Sequence, residues 1–254
     1  MTNLLALYQS IGPALALLVL AVFTLAGTVK GVIGLGLPTV VMGVLGLAMP
    51  ASQAAALLII PSTLTNFWQL SQGGHLPALL KRLWSMLLAV CIGTLAGNSW
   101  FGLGTGPWVT HALGGALLAY ALVGLYLPTL RLSSTREAWM GPLCGLLTGL
   151  ITAATGVFVI PAVPYLQTLG LDRDELVQAL GLSFTVSTLA LATGLFSAGL
   201  LGSGLLGASL LLVVPALAGM VLGQGLRQRI SPATFKRVFF IGMAVLGGHL
   251  LVNG

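Results

Sequence analysis

Lys30 stands in an otherwise apolar run, Gly27-Thr28-Val29-Lys30-Gly31-Val32-Ile33-Gly34-Leu35-Gly36-Leu37-Pro38. A related run, Gly149-Leu150-Ile151-Thr152-Ala153-Ala154-Thr155-Gly156, follows about 120 residues later and closes at Pro161. An ammonium in hydrocarbon costs about 2.5–3.5 kcal/mol at the centre of a span, so it must face a cavity, find a partner or reach the interface. Gly31, Gly34, Gly36 and Gly156 permit close approach of backbone, and a helix that starts after a break aims its first amides at whatever anion the lysine attracts. The chemistry this suggests is anion binding, by one ammonium, backbone amides and the hydroxyls of Thr152 and Thr155. The alternative for Lys30 is a lysine at the turn between two helices, with its stem in lipid and its charge in water.

The four acids, Glu137, Asp172, Asp174 and Glu175, all lie in or beside loops. A carrier of cations ordinarily needs a carboxylate within its spans, whereas an anion can be held by amides, hydroxyls and a lysine. Ser62, Asn66 and Gln69 share one helical face, and so do Gln178, Thr185 and Thr188 in the other half. Asn66 and Gln178 join the candidate site; hydrogen bonding between helices is the competing use of such side chains. Asn98 and Gln224 sit at matching helix ends and suit capping. His75, His111 and His249 are dispersed, so neither a metal nor another cofactor is expected. With no convergent nucleophile, base or metal group, an enzyme is disfavoured. Cys91 and Cys144 lie in apolar segments and act as small hydrophobes.

The elements that must position these residues are membrane helices. A composition 57% hydrophobic and 6% charged, with a mean hydropathy of +1.06, leaves too little polar surface to cover a soluble globule. The net charge of +6 is spread over short loops, which fits topology and not nucleic acid. Apolar stretches predict ten helical segments near 11–32, 34–48, 51–70, 79–101, 107–130, 138–155, 157–169, 175–199, 204–226 and 232–252. Segments 34–48 and 157–169 are shorter than the roughly 20 residues of a full span. Met1 to Ser10 lacks a basic start, so the first span is expected to be retained. Trp68, Trp84, Trp100 and Trp108 fall near span ends, as interfacial anchors do.

Gly27 and Gly34 match Gly149 and Gly156, Leu45-Gly46-Leu47 matches Leu169-Gly170-Leu171, Gly93 and Gly97 match Gly219 and Gly223, and Pro107 matches Pro232. The chain is therefore expected to be an all-α polytopic membrane protein of two five-helix repeats, 1–133 and 134–254, forming one membrane domain. The repeats are inverted if the short segments cross and parallel if they re-enter. Only full crossing puts every basic loop on one side, so the inverted arrangement is favoured. Gly34 and Gly156 are then expected to lie close together near the middle, each opening a short helix toward one cavity.

The run Gly27-x-x-Lys30-Gly31-x-x-Gly34-x-Gly36-x-Pro38, its partner ending at Pro161, and the Leu-Gly-x turn before each following helix resemble the sulfite exporter TauE/SafE family, also called toluene-sulfonate uptake permeases. Nearly the whole chain takes part. This likeness implies a secondary carrier, in a bacterial inner membrane, of a small anion such as sulfite, a sulfonate or a carboxylate. An anion channel, and a structural or assembly subunit, are the alternatives. The substrate and the lipid bilayer are the expected partners, and the oligomeric state is left open, a homodimer included.

Overall fold

A computed structural model describes residues 2–101, 106, 108–126 and 131–254. Pro107 and the 127–130 end of the expected fifth segment lie outside the described residues. The helices are α1 (Thr2–Ile33), α2 (Leu37–Leu45), α3 (Ala51–Leu70), α4 (Leu76–Phe101), α5 (Trp108–Tyr126), α6 (Ser134–Thr155), α7 (Ala162–Thr168), α8 (Arg173–Ser197), α9 (Ser203–Leu211), α10 (Val213–Leu226) and α11 (Pro232–Asn253). Among the described residues seven stretches are long and apolar enough to cross a membrane, α9 and α10 counting as one. The more polar α3 and the short α2 and α7 complete the ten segments read from the sequence.

Packing fixes the direction of each helix. Ser62 meets Thr188 at 3.2 Å while Gln178 donates to the Leu70 carbonyl at 2.8 Å, so the equivalent helices α3 and α8 run antiparallel. Gly114 packs on Leu250 and Leu251, and Gly124 on Phe240, so α5 and α11 are antiparallel as well. Across the repeats, α1 runs parallel to α10, with Gly27 on Ala216 and Gly31 on Met220, and α4 runs parallel to α6, with Gly93 on Leu146 and Gly97 on Leu150. Equivalent helices of opposite direction define an inverted repeat.

Within the first repeat, Lys30 meets Asn66 and Gly34 meets Gln69, so α1 and α3 are parallel. Residues 34–50 must then carry the chain back along α3, about 27 Å from Gln69 to Ala51 at ~1.5 Å per residue. The nine residues of α2 cover half of that, and the non-helical flanks cover the rest. In the second repeat, Gly156 lies near Ala51 and Leu195, whereas the far end of α7 has Tyr165 at the Glu137 carbonyl and Leu169 on Arg82. Both short segments therefore complete a crossing.

All ten basic residues collect at one end of the bundle. Arg82 pairs with Glu137 at 2.7 Å and reaches the Leu169 carbonyl, Arg131 lies beside Gly170, and Arg173, Arg227 and Lys236 line one cavity with Ile33. By the positive-inside rule this end is cytoplasmic. The acids near Arg173 cap α8: the Asp172 carboxylate accepts the Glu175 amide at 2.8 Å, and Glu175 returns the bond to the Asp172 amide at 3.0 Å. Cysteines introduced at the exposed Ser71 and Ser231, with Cys91 and Cys144 replaced, are expected to label from the same side of the membrane. Labelling from opposite sides overturns the inverted arrangement.

Pro61 interrupts the hydrogen bonding of α3, because it has no amide to offer the Leu57 carbonyl. Ser209 of α9 supplies the missing donor at 2.8 Å and also accepts from the Ile60 amide at 3.2 Å. Backbone within a bilayer needs such substitutes. Ser209→Ala leaves a buried carbonyl unpaired and is expected to destabilise the protein by about 1 to 3 kcal/mol, seen as a lowered unfolding midpoint in detergent.

Candidate functional site

The first break begins where α1 runs out of helix-compatible backbone. Gly34 closes the last turn, its amide donating to the Lys30 carbonyl at 2.8 Å, and its φ of +77° is one that only glycine adopts freely. Gln69 holds the turn from α3 by donating to the Gly34 carbonyl at 2.6 Å. Gly36, with φ +110°, caps α2, and its carbonyl accepts from Val40 and from the Thr39 hydroxyl, each at 2.9 Å.

One turn before the break, Lys30 is 2% exposed. Its ammonium donates to Thr65 Oγ1 at 3.0 Å and to Asn66 Oδ1. The Asn66 amide in turn donates to Ser62 Oγ at 3.2 Å and to Thr188 Oγ1 at 3.3 Å. Lys30 is therefore tied into a buried network of neutral oxygens on α3 and α8. The Arg82–Glu137 ion pair and the His75–Glu175 contact do not involve Lys30, and no carboxylate lies within ion-pair distance of it among the described residues. A buried cation held only by dipoles is electrostatically incomplete, and a bound anion would complete it.

Beside the break is a cavity of about 360 Å³ open to the cytoplasmic end. Val32, Ile33 and Leu35 form one wall, and Arg173, Arg227 and Lys236 supply three positive charges. A vestibule of one charge sign concentrates anions near its mouth. These three cations had only a topological meaning in the sequence, because they lie on different elements that meet only in the fold.

The two breaks do not share a cavity, contrary to the expectation that Gly34 and Gly156 lie together. Gly34 faces Gln69 and Val177, whereas Gly156 lies against Met42 in a cleft with Ala51, Leu191 and Leu195. From Val177 to Leu191 along α8 is about 21 Å at ~1.5 Å per residue. Inversion explains this: a break near the cytoplasmic end in one repeat must recur near the opposite end in the other. Thr152 and Thr155 line that second cleft, and their hydroxyls bond the Thr148 and Ile151 carbonyls, each at 2.7 Å. The cleft holds about 10 Å³, no more than one water.

Two other residues of the candidate set are occupied elsewhere. Gln178 clamps the 70–75 loop, donating to the Leu70 and Gly73 carbonyls at 2.8 and 3.2 Å and accepting from the His75 amide at 3.0 Å. Its polar atoms face backbone. Gly31 is taken up by packing, since a Cβ there would overlap the Met220 carbonyl oxygen. Thr65, absent from the candidate set, bonds Lys30 directly. Its place one residue before Asn66, on the same buried side of α3, was the available signal.

The family model described as sulfite exporter TauE/SafE matches residues 19–250. The chain belongs to the sulfite exporter TauE/SafE family. It is thus a multi-pass membrane protein of a transporter family for sulfur anions, with an anionic substrate and the bilayer as its partners. No curated protein and no solved structure matches it. In this family member the match spans both breaks, the Lys30 network and the cytoplasmic vestibule.

Proposed function

We infer that this chain is a secondary transporter that moves a small sulfur-containing oxyanion or organosulfonate across a bacterial inner membrane by alternating access between its halves, 1–133 and 134–254. The observation that carries this reading is Lys30: a buried cation at a helix break, bonded among the described residues to Thr65 and Asn66, next to a vestibule lined by Arg173, Arg227 and Lys236. In this reading the vestibule gathers the anion, and Lys30 and the Asn66 amide bind it, with the hydroxyls of Ser62 and Thr188 completing its shell. Gly34 and Gly36 shape the turn that admits it.

The tight cleft at Thr152, Thr155 and Gly156 supports a conformation closed toward the outer side and accessible from the cytoplasm. The opposite state would open that cleft while the vestibule narrows. Lys30 has Thr152 as its counterpart in the repeat, so a fixed charge is present at one break alone. The anion is therefore bound most tightly on the Lys30 side, and the other break, whose Thr152 and Thr155 hydroxyls donate to helix carbonyls, holds it more weakly.

Proteoliposomes preloaded with unlabelled sulfite are expected to accumulate labelled sulfite transiently by counterflow, with a rate that saturates. Flux that rises linearly with concentration and lacks counterflow overturns the carrier reading in favour of a channel. Absence of any sulfite, sulfonate or carboxylate flux from correctly inserted protein overturns the transport reading itself.

A further inference from the structure

A second cavity borders the vestibule, in the groove between the end of α5 and the start of α11. It measures about 400 Å³, and Tyr126, Lys236, Arg237, Phe240 and Ile241 are among the residues lining it. Glycine makes this packing possible: a Cβ at Gly124 would overlap the Phe240 ring, which is buried edge-on against Tyr120 at 5.0 Å. The Lys236 ammonium lies 5.7 Å from the centre of the Phe240 ring. Neither Lys236 nor Arg237 has a carboxylate partner among the described residues.

The groove is polar at one end and apolar along the rest. Lys236 and Arg237 stand in the first turns of α11, at the cytoplasmic end. Ile241 and Val245 continue along the same helix, and Leu122 flanks Tyr126 on α5, all exposed on the bundle surface. A free oxyanion has no use for that apolar continuation. A phospholipid uses both parts, its phosphate between the cations and its acyl chains along Leu122, Ile241 and Val245. Basic pockets between membrane helices on the cytoplasmic side suit anionic headgroups.

The repeat provides an internal comparison. Pro232 matches Pro107, so Lys236 corresponds to His111 and Arg237 to Ala112. The equivalent place near the opposite end therefore lacks the lysine and arginine pair. We propose that the α5–α11 groove is a binding site for one anionic phospholipid of the cytoplasmic leaflet, its phosphate held by Lys236 and Arg237. Because Lys236 also lines the vestibule, the bound lipid would share a cation with the incoming anion.

The full chain in detergent tests this with phosphatidylglycerol, phosphatidylcholine and glycerol phosphate, read by unfolding midpoint and by lipid adducts in native mass spectrometry. Phosphatidylglycerol is expected to raise the midpoint and to remain bound, whereas phosphatidylcholine and glycerol phosphate do neither. Arg237→Gln, at an exposed position, is expected to weaken phosphatidylglycerol binding about fivefold, and Lys236→Gln combined with it to weaken binding further. Lys81→Gln, an equal loss of charge at the same end, leaves it unchanged. Equal stabilisation by phosphatidylcholine, equal loss in Lys81→Gln, or unchanged binding in Arg237→Gln overturns the proposal. An equal shift with glycerol phosphate overturns the lipid assignment in favour of a free-anion site. None of these readouts depends on transport, so failure here is distinct from failure of the transporter reading.

Discussion

Lys30→Met is expected to raise the apparent dissociation constant for sulfite at least tenfold, measured by titration of the purified protein or by concentration dependence of flux. A charge-assisted hydrogen bond contributes about 1.5 to 3 kcal/mol, and methionine keeps the length of the side chain while removing the charge. Loss of fold is not the expected route to this effect. Removing the charge also removes its desolvation cost, which offsets part of the roughly 1 to 3 kcal/mol for leaving the buried Asn66 Oδ1 without its donor. A folded, monodisperse protein with an unfolding midpoint near the parent value should therefore accompany the weakened binding. Lys30→Arg keeps the charge in a bulkier fork and should retain part of the affinity. Unchanged anion affinity in a folded Lys30→Met protein would remove Lys30 from the site.

Gly31→Leu is expected to prevent stable assembly, with a destabilisation at or above the roughly 3 kcal/mol that marks the upper end for overpacking. The glycine faces the Met220 carbonyl, Gly223 and the Gln224 amide, and Gly219 and Gly223 of α10 press in turn on the Thr24 and Thr28 carbonyls of α1. Such close backbone approach is how small residues hold membrane helices together. A leucine pushes the two helices apart over several turns. Gly34→Ala provides the contrast, because the nearest atom to its Cβ is Gln69 Nε2 at 3.5 Å and only the positive φ is strained, at about 1 to 2 kcal/mol. Monodisperse, thermally stable Gly31→Leu protein with lost anion binding would return Gly31 to the substrate site.

The sequence by itself determined the membrane class, the ten segments, the duplication and the side that carries the charge. These follow from hydropathy, repeat spacing and the positions of lysine and arginine, all of which are local properties that need no knowledge of what packs where. Lys30 and Asn66 were legible for the same reason, since a cation and an amide within apolar spans are costly wherever they point. Tertiary structure decided which polar and small residues share a place. Gly31 and Gly34 are the same residue type three positions apart, yet one meets the backbone of α10 and the other turns the chain. Gln178 reads as a cavity amide until the 70–75 loop is seen around it. Ser209 repairs the break at Pro61 from about 150 residues away, and Arg173, Arg227 and Lys236 become one vestibule only when the fold brings their separate helix ends around one cavity. The separation of Gly34 from Gly156 has the same origin. Spacing along the chain reports a repeat, but the direction in which its two copies pack is set by contacts between distant helices.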